Sequence, residues 1–246
     1  MSNFISEFVV ENLQSDKNES FSQYYAALRN ACEFNPPPYG ENWFGKEYRR
    51  MSRDPSWFAN LLISDADLEG YSSKQLWIYA NSVSDSKMSQ DLKLHAIDEA
   101  RHSKIFGKLL FLIFPSIATN ELSEKLKEMS PSLSLKDIDN SGSNIVDMSH
   151  QEILNSLILI NLFEIKALVL QRLLQPTLFA YGNSELNPRI QRSTNSLIAD
   201  EIRHVSYTAG YLESAIKTGH RDYIFSAMSE FQKYLNHITL EQFQAA

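Results

Sequence analysis

Two five-residue words hold the chemistry this chain can do: Asp98-Glu99-Ala100-Arg101-His102 and Asp200-Glu201-Ile202-Arg203-His204. Both read Asp-Glu-x-Arg-His. On an α-helix a Glu and a His three residues apart differ by about 60° in direction and about 4.5 Å in height, so both side chains leave one face toward one point. A carboxylate and an imidazole aimed at one point make a metal-chelating pair. The chain has six His in 246 residues. Two independent Glu-x-x-His pairs that also share the Asp and the Arg are improbable as chance surface ion pairs.

Each word needs a long helix beneath it and a partner helix beside it. Asp54-Pro55, a capping residue followed by proline, opens a first core helix with apolar spacing to about Val83. After a Ser84-Asp85-Ser86 turn, a second runs from about Ser89 through the first word to Phe114, where Pro115 follows. Ser149-His150-Gln151-Glu152 reads as a capping box for a third, very apolar helix to about Ala180, bent or interrupted at Pro176. Asn187-Pro188 opens the fourth, which carries the second word to about Lys217 and stops at Gly219.

The short turns make two antiparallel hairpins. The Ser-rich stretch between them, 115–148, predicts a short helix at 121–129, a turn at 139–143 and enough reach for a crossover. Phe21 to Phe34 predicts a helix laid against the outside, ended by Asn35-Pro36-Pro37-Pro38. Residues 221–243 predict one or two terminal helices. The expectation is all-α: a single domain over 1–246, with an N-terminal extension (1–53), a four-helix core (54–217) and C-terminal helices (218–246).

Glu164 lies in the apolar middle of the third helix, where a carboxylate is costly unless paired or metal-bound. An Asn161, Glu164, Lys166 polar stripe with a local salt bridge is the plainer account. The first helix offers Asp65, Asp67 and Glu69. Glu69 lies at nearly the depth of Glu99 from the turn, whereas Asp65 is about 10 Å too deep at 1.5 Å per residue. The expected metal ligands are therefore Glu69, Glu99, His102, Glu164, Glu201 and His204. His95, one turn before Glu99 on the ligand side, is a further candidate ligand.

Asp98 and Asp200 are placed to receive the second ring N–H of a ligating imidazole, Asp98 from His204 and Asp200 from His102. Arg101 and Arg203 brace these acids or form ordinary surface ion pairs. Gly70 leaves room beside Glu69, for substrate or for close helix packing. Tyr71, Tyr79 and Tyr207 are candidates to line a cavity.

Composition narrows the alternatives. A formal charge of −7, with no Lys/Arg-rich run, argues against nucleic acid as a partner. The start lacks a basic region followed by an apolar core, and the apolar stretch Leu157–Leu170 is broken by Asn161, Glu164 and Lys166. The single Cys32 permits no internal disulfide and no Cys-based iron centre. The expectation is a cytoplasmic protein without a membrane partner.

With Glu69, Asp98-Glu99-x-x-His102, Glu164 and Asp200-Glu201-x-x-His204, residues 54–217 resemble the ferritin-like di-iron carboxylate superfamily. Within it, the likeness is greatest to the p-aminobenzoate N-oxygenase family. That family carries an additional His one turn before the fourth helix's Glu; here that position is Leu197, and a His stands at the matching place in the second helix, His95.

The resemblance implies a ferritin-like four-helix bundle holding two iron ions, with Fe2 or Mn/Fe both compatible with the ligands. It implies O2 as co-substrate, activated as a peroxo bridge, an external reductase or ferredoxin, and oxidation of an amine-containing small molecule. A hydroxylase, desaturase or C–C-cleaving oxygenase acting on a fatty acyl, aldehyde or amino-acid substrate shares the ligand set. A non-catalytic metal-stapled structural or interaction domain is the reading from another class. A homodimer through the N-terminal extension is a further expectation.

Overall fold

The computed structural model describes residues 4–13, 21–117, 119–129 and 148–245. They are all-α, with no strand among them. The helices are α1 (Phe4–Leu13), α2 (Ser22–Phe34), α3 (Asn42–Met51), α4 (Pro55–Asn81), α5 (Ser86–Ile113), α6 (Asn120–Met129), α7 (His150–Tyr181), α8 (Asn187–Ala215) and α9 (Arg221–Ala245). The turn expected at 139–143, and most of the 115–148 connection, lie outside the described residues.

The chain divides into two compact units. The first is Met1–Arg50, His150–Leu174 and Ile198–Ala246; the second is Met51–Ser149 and Gln175–Leu197. Helices α7 and α8 each contribute to both.

In the second unit, α4 and α5 form the antiparallel hairpin. Asp54 caps α4 by accepting from the N–H groups of Ser56 (2.8 Å) and Trp57 (3.4 Å), with Pro55 at the first helical position. Asp85 caps α5 by accepting from Met88 N–H at 2.7 Å, which starts that helix three residues before the expected Ser89.

Three serine hydroxyls then tie the pair together. Ser103 donates to Ala66 O (2.6 Å), Ser73 to Ala96 O (2.7 Å) and Ser89 to Ala80 O (2.6 Å). Along α4 the contacts advance from 66 to 73 to 80 while α5 retreats from 103 to 96 to 89. That step is two helical turns, the seam repeat of antiparallel helices packed side by side. Small side chains at these rungs let the backbones approach closely. Tyr181, at the end of α7, donates to Ser52 O (2.9 Å) and stacks on Phe58 with ring centres 5.1 Å apart.

In the first unit α2 buries one face. Tyr24, Ala27, Leu28 and Ala31 are fully buried, and Glu213 of α8 caps the helix by accepting from the N–H groups of Gln23 (2.9 Å) and Tyr24 (2.7 Å). The other face of α2, with Ser22, Arg29, Glu33 and Phe34, is exposed, as expected of a helix laid against the outside. Tyr24 OH reaches Asn161 Oδ1 at 2.9 Å, and a buried amide in an apolar helix needs such a partner. Two helices of the extension, α1 and α3, were not anticipated; Ile5, Val9, Phe44 and Tyr48 are buried in them.

Helix α7 is long and apolar enough, by length and composition, to cross a membrane, and half of its most apolar window is buried. Its interior polar residue Asn161 is fully buried and hydrogen-bonded within the first unit, as in a core helix. Of the expected bend or interruption at Pro176, the interruption does not occur: the helix runs through it. Proline removes one N–H, and the buried Leu174 and Leu178 on either side hold the segment helical. Helix α8 gives way to a π-type turn, Ile216–His220, in which Gly219 takes φ +106°, a conformation that favours glycine.

Candidate metal centre

Glu69 stands on α4, and Glu99 and His102 on α5, between the serine rungs at Ser103–Ala66 and Ser73–Ala96. The rungs set the depth of one helix against the other, so Glu69 comes level with the word. His102 Nδ1 lies 3.4 Å from Glu99 Oε1 and 3.9 Å from Glu69 Oε2. His95 Nε2 lies 3.3 Å from that same Glu99 oxygen. His95, Glu99 and His102 are buried, while Asp65 is half-buried and Asp67 exposed.

The first unit repeats the arrangement. His204 Nδ1 lies 3.3 Å from Glu164 Oε2 and 3.4 Å from Glu201 Oε2. Glu164, Glu201 and His204 are buried. Where Glu99 has His95, Glu201 has an amide: Gln171 Nε2, two turns beyond Glu164 on α7, donates to Glu201 Oε1 at 3.1 Å. In both units the Nδ1 edge of the word's imidazole faces two carboxylates, one from its own helix and one from the neighbour.

Beneath the second arrangement runs a buried chain of polar contacts. Thr208 donates to His204 O (2.7 Å), Asn161 Nδ2 donates to Thr208 Oγ1 (2.9 Å) and to Val205 O (3.3 Å), and Tyr24 donates to Asn161. Asn161 is thus turned into the core, and Lys166 donates instead to Gln242 Oε1 (3.2 Å) at the surface. This is not the Asn161, Glu164, Lys166 stripe of the plainer account. Sequence reasoning missed Gln171 and Tyr24. Gln171 had a usable signal, a polar residue seven after Glu164 on an otherwise apolar face.

The acids that precede the two Glu residues are each held by the word's arginine. Arg101 Nη2 meets Asp98 Oδ1 at 3.0 Å, and Arg203 Nη1 meets Asp200 Oδ1 at 2.8 Å. Arg101 also donates to Ser196 Oγ at 2.9 Å. Tyr71 is 61% exposed and lines no buried site; Tyr79 and Tyr207 are half-buried, and Gly70 is buried.

Burial by itself would push the Glu99 carboxyl upward. Hydrogen bonds with Glu69, His102 and His95, and the charge of His95, hold it well below the usual carboxylate range.

No family model, curated protein or solved structure matches the chain. What the centre can do is read from its own donors.

Among the described residues, the His and Glu groups able to hold a metal ion are the half-buried Glu69 and the buried His95, Glu99, His102, Glu164, Glu201 and His204. They offer carboxylate oxygen and imidazole nitrogen atoms without thiolate, donors that could bind a metal ion. Buried carboxylates are costly unless compensated, and a cation held among these donors would compensate them.

Proposed function

We propose that the two Glu/Glu/His groups serve one di-iron centre in a ferritin-like four-helix bundle of α4, α5, α7 and α8. On this reading the chain is an O2-dependent oxidoreductase that N-oxygenates an amine-containing small molecule. The observation that carries the proposal is the recurrence, once in each unit, of a buried imidazole whose Nδ1 faces two carboxylates. The amine as substrate rests on the likeness of the motifs to the p-aminobenzoate N-oxygenases.

Bound iron would supply the capture and reduction of O2, with electrons from an external reductase or ferredoxin. The chain's own groups set the conditions for this. His102 and His204 act as ligands in their neutral form, with Nδ1 toward the carboxylates and the ring proton on Nε2. Arg101 and Arg203 hold Asp98 and Asp200 in place. Gln171 fixes one oxygen of Glu201 so that the other faces His204.

Anaerobic loading with ferrous iron, followed by O2 and an arylamine, tests the proposal. The expected result is two irons per chain, a transient visible absorption band on O2 addition, and hydroxylamine, nitroso or nitro products by mass spectrometry. Iron binding with no O2 reaction would overturn the enzyme reading and leave a metal-stapled domain. An O2 reaction with the amine untouched would overturn only the substrate class.

A further inference from the structure

Away from the buried centre, two more histidines meet. His150 is the first residue of α7, and His220 closes the turn that leads into α9. Both belong to the first unit. Their Nε2 atoms are 3.1 Å apart, their ring centres 4.5 Å apart and their planes tilted by 46°. His150 is exposed and His220 half-buried, so solvent ions reach the pair.

We propose that His150 and His220 form a separate surface site that chelates a divalent transition-metal ion of the Zn2+, Ni2+ or Cu2+ class through both Nε2 atoms. Two imidazole nitrogens bound to one such ion at about 2.0–2.1 Å stand about 2.9–3.4 Å apart for bond angles between square and tetrahedral. The observed 3.1 Å falls inside that range.

The competing explanation is a simple N–H···N hydrogen bond. A straight one would put the ring centres about 5.4 Å apart, the nitrogen separation plus a ring radius at each end. The 4.5 Å found requires the ring axes to bend away from the N···N line. Bending weakens a hydrogen bond and is what two ligands converging on a third atom require.

The ion would join the start of α7 to the turn before α9, closing a 70-residue separation in sequence. Water fills its remaining positions, as is common where a site keeps open coordination. Its softer class also separates it from the carboxylate-rich buried centre, which favours harder ions.

The test uses the full chain and Cu2+–iminodiacetate, a chelate that leaves adjacent coordination positions open and is too large to reach the buried donors. The proposal expects one chelate bound per chain, with two imidazole nitrogens coupled to copper in the EPR spectrum and displacement by Zn2+. His150→Ala and His220→Ala should each weaken binding at least tenfold. His237→Ala should leave it unchanged; this third non-buried histidine is 3.3 Å from Glu241 and serves as the control. The two test variants lie on separate elements, and circular dichroism checks that each remains helical, so either one alone can decide. Wild type binding no more tightly than either single variant, or His237→Ala weakening binding equally, would overturn the site.

Discussion

Gln171 Nε2 donates to Glu201 Oε1 at 3.1 Å, and it does so from the helix that also carries Glu164. One face of α7 thus provides both a candidate ligand and the group that aims another ligand on α8. In the other unit the corresponding carboxylate, Glu99, is flanked instead by His95 and His102, both close to its Oε1. The two words are alike in sequence, and their surroundings differ by an imidazole in one and an amide in the other.

Gln171→Leu keeps nearly the same volume and removes the amide. Groups that orient metal ligands are worth about 10–100-fold in affinity when lost. The expected outcome is a drop of that size in ferrous-ion affinity by equilibrium dialysis, with the helical circular dichroism signal retained. Unchanged affinity would show that Glu201 is aimed by its own helix alone.

Glu164 faces His204 across 3.3 Å and is the only carboxylate that the apolar stretch 157–170 contributes. Glu164→Ala should at least halve the iron bound per chain, measured by inductively coupled plasma analysis after ferrous loading. Full iron stoichiometry in that variant would remove Glu164 from the ligand set.

The serine rungs bracket Glu69, Glu99 and His102, so their loss should be felt at the metal as well as in stability. Ser73→Ala and Ser103→Ala each remove a buried hydroxyl whose acceptor carbonyl retains its helix partner, at a cost of about 1 kcal/mol apiece. Urea denaturation of the metal-free chain should show this. The double variant should also bind iron more weakly, because the register of α4 against α5 is less tightly held.

Cys32, Tyr24 and Tyr39 are buried near one another in the first unit, and burial raises all three, Cys32 from 9.0 to about 12. In the native state they stay protonated where the unfolded chain releases its protons. The contribution of these three groups to stability should therefore be level below about pH 9 and fall as pH rises toward 12, since the unfolded state then binds fewer protons. Urea midpoints at pH 8, 9.5 and 10.5 should decline in order. At pH 8 native Cys32 should resist iodoacetamide until urea unfolds the chain; labelling at the rate of a free thiol would contradict its burial.

Local rules made much of this protein legible before any coordinates. The spacing of Glu99 and His102, and of Glu201 and His204, puts each pair on one helix face by the 3.6-residue turn alone. Asp54-Pro55 and Asp85 mark helix starts because their side chains satisfy N–H groups within three residues. Gly219 marks a helix end because it readily adopts positive φ. These signals act over a turn or two of chain, so composition and spacing are sufficient to read them.

Tertiary packing decided what depends on distant partners. Tyr24 looks like one apolar residue on an outer helix until its hydroxyl meets Asn161, 137 residues away. Gln171 is one more polar side chain until Glu201 accepts from it, and His95, on the ligand side by spacing alone, gains its partner only when its Nε2 is found beside Glu99. The grouping of the chain into units that divide α7 and α8 between them is equally invisible in the linear order. A helix period fixes which residues share a face; only packing chooses what that face meets, because burial and hydrogen-bond satisfaction are settled between elements.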